Sequence, residues 1–271
     1  MNAINRILFF LHASNLIVAL AGAFLAFGIC KQLNIDYAER YGFLAFCLIF
    51  SIYFFQRMVD HSGFSEDERN VWGNRTWIAI GLSTVLLFLG FVVGLQMVQY
   101  SVIQITLIVV FSLICGWYVI PLFGSKLREI AGLKLVLIAA TWTYTCLVFP
   151  YLNVFKEFTT DLMYFALLLI FYISAVVLPF DIRDKSIDLV QQSTVPQVIG
   201  VRVTKLIGTI LLLIFSIGMY VLKIVEPTNI LFASSILIQI ALLNFTTEKR
   251  PFYYFLSIDF CIGLLGLSFL L

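Results

Sequence analysis

Long apolar runs separated by short polar joints repeat from one end of this chain to the other. A hydrocarbon core of roughly 30 Å takes about twenty helical residues to cross, so each run of that length predicts one membrane-spanning helix. Nine are counted, over residues 7–30, 41–59, 77–97, 102–120, 132–149, 161–180, 204–224, 228–244 and 253–271. The joints between them are too short to hold a soluble domain, so residues 1–271 are expected to form a single transmembrane domain of the all-α class. The first run shares two features with a secretory signal, a preceding Arg6 and the tripeptide ALA at 19–21. His12, Ser14 and Asn15 interrupt it early, however, and its apolar character outlasts an ordinary signal core, so it reads as a retained helix.

Composition agrees. Of 271 residues 62% are apolar and 12% charged, with a mean hydropathy of +1.03, which excludes a water-soluble globular domain. With the amino terminus inside, thirteen of the 17 Lys and Arg residues fall on the cytoplasmic side, and only Lys31, Arg40, Lys156 and Lys223 fall on the other. This is the bias that sets orientation in short loops, and it predicts a multi-pass protein of a bacterial-type inner membrane. The net charge of +2 tracks topology and forms no dense patch, which argues against nucleic acid. No obligatory protein partner is implied. The 5 cysteines lie in or at the ends of apolar runs without a CxxC pair, as packing residues do.

The polar residues gather in three of the joints on the predicted inner side. In the first, LPFDIRDKSIDLVQQSTVPQVIG at 178–200, Asp181, Asp184 and Asp188 are spaced three and four apart, so they share a face if the sixth helix continues past Pro179. Like charges on one face need water, basic partners or a divalent cation, and hard oxygen donors suit Mg²⁺ bridged to phosphate; a solvated charged loop is the competing reading. The second stretch, 53–75, places Gln56, Arg57, Asp60 and His61 where a helix meets water, followed by Glu66, Asp67 and Glu68. His61 has no partner at a zinc-site spacing. The third, WYVIPLFGSKLREIAGLK at 117–134, supplies Tyr118 at a helix end and then Lys126, Arg128 and Lys134. These cations suit either a phosphate clamp or simple positive-inside anchoring. Asn15, Asn244 and Asp259 fall within apolar runs, where an ionisable group implies a cavity or a partner. Asp259 is expected about 9 Å below the membrane surface, at 1.5 Å per residue from 253.

Taken in chain order, these three stretches resemble the UbiA superfamily of intramembrane prenyltransferases, and the likeness covers nearly the whole chain. DIRDKSIDLVQQSTVPQVIG is similar to the family's DxxxD signature, with Asp184 and Asp188 preceded by Asp181 and followed by Thr194 and Gly200. Tyr118 with Lys126 and Arg128 is similar to its Tyr and Lys/Arg segment after helix four. Where the family shows NxxxDxxxD after helix two, this chain reads Gln56, Asp60 and Phe64, so the first motif is divergent.

The resemblance implies nine helices around a central cavity, Mg²⁺ as cofactor, and transfer of an isoprenyl group from a polyprenyl diphosphate to an aromatic or other lipid-soluble acceptor. In site residues it implies Asp60, Asp181, Asp184 and Asp188 as metal ligands, with Asp184, Asp188 and Tyr118 catalytic. Lys126, Arg128, Arg57 and Lys185 would bind the diphosphate. Phe64 at a metal-ligand position supports one alternative, a degenerate protein that binds an isoprenoid or quinone-like lipid, and a terpene cyclase on the same scaffold is another that the sequence does not separate from transfer. A transporter built around Asp259 is a further class, but no repeat relates the two halves.

Overall fold

The computed structural model describes residues 15–59, 76–97, 102–121, 126–127, 130, 132–186, 193–249 and 252–271. Among them every regular element is helical. The chain forms α1 (Leu16–Gln32), α2 (Ala38–Val59), α3 (Thr76–Met97), α4 (Val102–Val119), α5 (Leu133–Thr143), a π-turn (Tyr144–Val148), α6 (Phe149–Phe155), α7 (Thr160–Asp184), α8 (Val195–Val221), α9 (Ile230–Phe245) and α10 (Phe252–Ser268). Because α5, the π-turn and α6 run on without a break, these elements make nine rods among the described residues. Three of them, 133–155, 160–184 and 195–221, are long and apolar enough to cross a membrane on length and composition alone.

The rods depart from the apolar runs at three places, each for a local reason. The fifth continues to Phe155 because Pro150, which cannot donate to the carbonyl four residues back, follows a π-turn that widens the chain there. The sixth continues through Pro179 to Asp184, its start fixed by Thr159 Oγ1 accepting from the Leu162 N–H at 3.2 Å. The seventh begins nine residues before the apolar run does, on a turn opened by the Thr194 N–H donating to Gln197 Oε1 at 2.9 Å. Gly200, at φ 80 and ψ 158, then breaks the helix between that turn and the apolar span.

Packing follows a closed order. Helix α1 lies against α2 and α10, α2 against α3, α5 against α7, α7 against α8, α8 against α9, and α9 against α10, while α4 touches α2, α5 and α6. The π-turn packs on α1, α2 and α7. Helix α7 is 56% buried along its span and α8 only 22%, so α7 is an interior rod and α8 a peripheral one whose Leu206, Ile217 and Val221 face outward. At the seam between first and last helices, Gly28 and Gly266 bring α1 and α10 into backbone contact, and a Cβ on Gly28 would overlap the Gly266 carbonyl. Small residues permit such close approach where no hydrophobic drive separates helices from lipid. Asn244, met in the sequence as an intramembrane polar residue, donates to Thr209 Oγ1 at 3.1 Å across α8 and α9.

Candidate active site

Asp181 and Asp184 stand one turn apart at the end of α7, and the sequence gives them different surroundings. Asp181 is buried at 1% exposure, and its Oδ1 lies 2.9 Å from Lys134 Nζ in the first turn of α5. The chain enters that turn through Gly132, whose φ of 70 a side chain would resist. Asp184 keeps about a quarter of its side chain exposed and is held by its neighbour, with Arg183 Nε 2.6 Å from Oδ1 and Nη2 2.9 Å from Oδ2. This is the forked geometry that gives guanidinium–carboxylate pairs their direction. The same guanidinium lies over Phe180 at 5.4 Å and Phe255 at 4.7 Å, which ties the end of α7 to α10. Half-buried Lys185 follows, its carbonyl accepting from Gln197 Nε2 at 3.2 Å. Since Gln197 also accepts from Thr194, its amide joins the two ends of the stretch that carries Asp188.

A cavity of about 600 Å³ lies between α2, α3, α4 and the α5 rod. Tyr53 and Tyr118 line it near the ends of α2 and α4 and Trp142 at the end of α5, whereas Leu44, Gly94, Ile108 and Phe149 line it toward the other ends of those rods. Trp142 Nε1 donates to the Tyr53 hydroxyl at 3.2 Å with the rings edge to face. Deeper, the π-turn sets Tyr144 flat against Phe111, centroids 4.0 Å apart. Among the described residues the lining of the chamber carries no charged side chain, an environment suited to a lipid chain.

Of the residues singled out in the sequence, the structure gathers Asp181, Asp184 and Lys185 at the end of α7, places Tyr118 in the cavity wall, and leaves Lys126 half-buried between α4 and α5. Asp60, Asp188 and Arg128 lie outside the described residues, as do Phe64, Glu66 and Asp67; Arg57 and Gln56 are placed in α2 by backbone only. Among the described residues no three His, Cys, Asp or Glu side chains converge as a metal cage. Of the two carboxylates at the end of α7, Asp184 is the more open, at about a quarter exposure, while Asp181 is paired with Lys134. Its carboxylate is a hard oxygen donor of the kind that suits Mg²⁺. Arg183 entered the sequence reading only as a topology charge, and Lys134 as one of three cations suited to a phosphate clamp or to positive-inside anchoring. For Arg183 the signal was its place inside the aspartate run, and for Lys134 no local signal pointed to Asp181.

No protein-family model matches the chain, and neither does any curated protein. Among solved structures the chain is similar to one described as a digeranylgeranylglyceryl phosphate synthase in membranes, with a TM-score of 0.57 and 16% identity over 96% of this chain and 95% of that one. The chain shares the fold of an intramembrane prenyltransferase. The family resemblance carried by the aspartate run is therefore matched by the path of nearly the whole backbone, and the apolar helices together with this fold make the chain an integral membrane protein. At this identity the likeness concerns fold, so chemistry has to be argued from the residues.

Proposed function

We propose that the protein is a UbiA-like, Mg²⁺-dependent prenyltransferase that moves an isoprenyl group from a polyprenyl diphosphate to an aromatic or other lipid-soluble acceptor. One observation carries the reading above the others: the same bundle holds a cluster of carboxylates and cations at the end of α7 and an apolar cavity of about 600 Å³ lined in part by Tyr53, Tyr118 and Trp142. The two parts match the two halves of a prenyl diphosphate. In this reading the cluster faces the cytoplasm, as the basic-residue bias requires.

Asp184 and Asp188, with Asp60 from the divergent first motif, would hold Mg²⁺, while Asp181 shares its charge with Lys134. The bound ion would supply Lewis-acid and template chemistry at the leaving diphosphate. Lys126, Arg128, Arg57 and Lys185 neutralise the remaining phosphate oxygens, Arg as a planar fork and Lys as a compact charge. As the allylic carbon–oxygen bond breaks, negative charge grows on groups already facing these cations, so the transition state gains more than the ground state. The rings of Tyr53, Tyr118 and Trp142 border the cavity where positive charge appears on the prenyl carbon, and they exclude water while attracting it through their faces.

A second reading, a protein that binds a neutral isoprenoid or quinone-like lipid without chemistry, is favoured by the two ion pairs, which compensate Asp181 and Asp184 using the chain's own cations. The full chain in lipid nanodiscs, given geranylgeranyl diphosphate with and without Mg²⁺, separates the two. Magnesium-dependent binding and prenyl transfer, both abolished by chelator, are expected. Binding of a neutral isoprenoid alone, indifferent to chelator, would replace the enzyme with the binder.

A further inference from the structure

Tyr53 of α2 and Trp142 of α5 both line the apolar chamber and are bonded to each other across it. Trp142 Nε1 lies 3.2 Å from the Tyr53 hydroxyl, and the rings meet edge to face with centroids 6.5 Å apart. An indole N–H can only donate, so the phenol oxygen is the acceptor and keeps its own proton for a further partner. Among the described residues that proton has none, because the bond from Trp142 is the one hydrogen bond the Tyr53 hydroxyl makes. Thr141, in the same wall as Trp142, differs. Its hydroxyl is spent on its own helix, 2.8 Å from the Leu137 carbonyl and 3.0 Å from that of Ile138. The Tyr53 oxygen is also held in place by a fixed group. Trp142 is buried, and a Cβ on Gly22 of α1 would come within 3.4 Å of its indole, so α1 packs against the ring that carries the N–H.

We infer that Tyr53 recognises the lipid-soluble acceptor, its O–H donating to a neutral carbonyl oxygen that the acceptor carries apart from its nucleophilic atom. Three features of the wall select that chemistry. A polar group left unmet in an apolar space is unfavourable, so a ligand that accepts from this O–H gains a bond the empty chamber lacks. The described lining holds no charged side chain, which disfavours a carboxylate in the same place. A carbonyl, moreover, accepts without bringing a proton of its own into the apolar wall. The recognised oxygen is distinct from the nucleophile, because a lone pair tied up by the Tyr53 O–H is not free to form the new bond to the allylic carbon. The inference rests on the prenyltransferase reading in making this lipid the prenyl acceptor, whereas the bond to Tyr53 is a matter of binding alone.

The test uses the full chain in lipid nanodiscs and two probe phenols of equal chain length, one with a ketone next to the ring and one with a methylene in its place. Tyr53→Phe keeps the ring and removes the hydroxyl. It is expected to raise the Kd of the ketone about tenfold, the worth of one hydrogen bond, and to leave that of the alkyl phenol within about twofold. The infrared C=O stretch of the bound ketone should lie lower in the wild type than in Tyr53→Phe, a shift that packing alone would not produce. Equal weakening of both phenols marks a purely structural pair and overturns the inference. So does a wild-type carbonyl stretch no lower than that of the variant. Magnesium-dependent transfer from geranylgeranyl diphosphate that ignores the ketone leaves the prenyltransferase reading standing without this one. Ketone recognition with the shifted stretch, but no transfer to either phenol, upholds Tyr53 as the lipid-binding donor and sinks the enzyme reading.

Discussion

Lys134 Nζ meets Asp181 Oδ1 at 2.9 Å, joining the first turn of α5 to the end of α7 where the carboxylate is buried. Both partners were in the pattern of charges along the chain, yet nothing local paired them. Breaking a buried ion pair from one side leaves an uncompensated charge, which costs more than the pair itself contributes. Lys134→Met is therefore expected to destabilise the protein by about 3 kcal/mol, read as a lower melting temperature in detergent. The double variant Lys134→Met with Asp181→Leu should regain most of the loss, because it removes both charges. Equal instability of single and double variants would show that the pair does not hold the two rods together.

Asp184 answers a different question, since its partner Arg183 is its own neighbour and their ion pair spans no two elements. Asp184→Ala should leave the melting temperature nearly unchanged, because both side chains are partly exposed and such pairs contribute little to stability. Its effect should fall on chemistry instead, a loss of prenyl transfer on the order of a hundredfold. The Mg²⁺ dependence of geranylgeranyl diphosphate binding should weaken in parallel. A variant that transfers normally would refute the proposed role of the α7 carboxylates.

What the sequence reveals of this molecule is what local patterns can encode. Apolar runs long enough to span lipid mark nearly every rod, because burial in lipid leaves no other way to satisfy the backbone. Their ends are less legible. Pro150, Pro179 and Gly200 all read as helix breakers, but α7 runs straight through Pro179, the turn before Pro150 widens into a π-turn, and helix resumes after Gly200. The aspartate run is conspicuous for its charge alone. Its partners are not, since Lys134 approaches Asp181 only through the packing of α5 on α7. The cavity is also invisible in the sequence, being a space between four rods whose positions no single segment fixes.

The seam between α1 and α10 is a test of closure. Gly28 and Gly266 let the two backbones touch, so a methyl group at either position has no room unless the helices separate. Gly28→Ala is expected to destabilise the bundle by about 2 kcal/mol, the usual cost of overpacking, despite the better helix propensity of alanine. Gly266→Ala should do the same. A thermal melt of each variant in the same detergent checks this, and an unchanged melting temperature would mean that the seam is looser than the backbone contact implies.

Gly94 is the opposite case, a glycine with space around it. It lines the cavity near the far end of α3, and among the described residues a Cβ there would meet only Leu44 at an ordinary 3.7 Å. A large side chain at this position should therefore enter the cavity without prising helices apart, so Gly94→Phe is expected to keep the wild-type melting temperature. The end of the chamber it fills lies away from Tyr53, Tyr118 and the charged cluster, and a bound prenyl tail would reach it only with its last isoprene units. Displacing one isoprene unit from an apolar site costs roughly 3 kcal/mol at about 0.8 kcal/mol per buried CH₂, or on the order of a hundredfold in affinity. Geranylgeranyl diphosphate should consequently bind far more weakly to Gly94→Phe, while the short dimethylallyl diphosphate should bind as it does to the wild type. Equal weakening of both would mean that the phenylalanine disturbs the charged end. No weakening of either would mean that the prenyl tail lies outside this chamber.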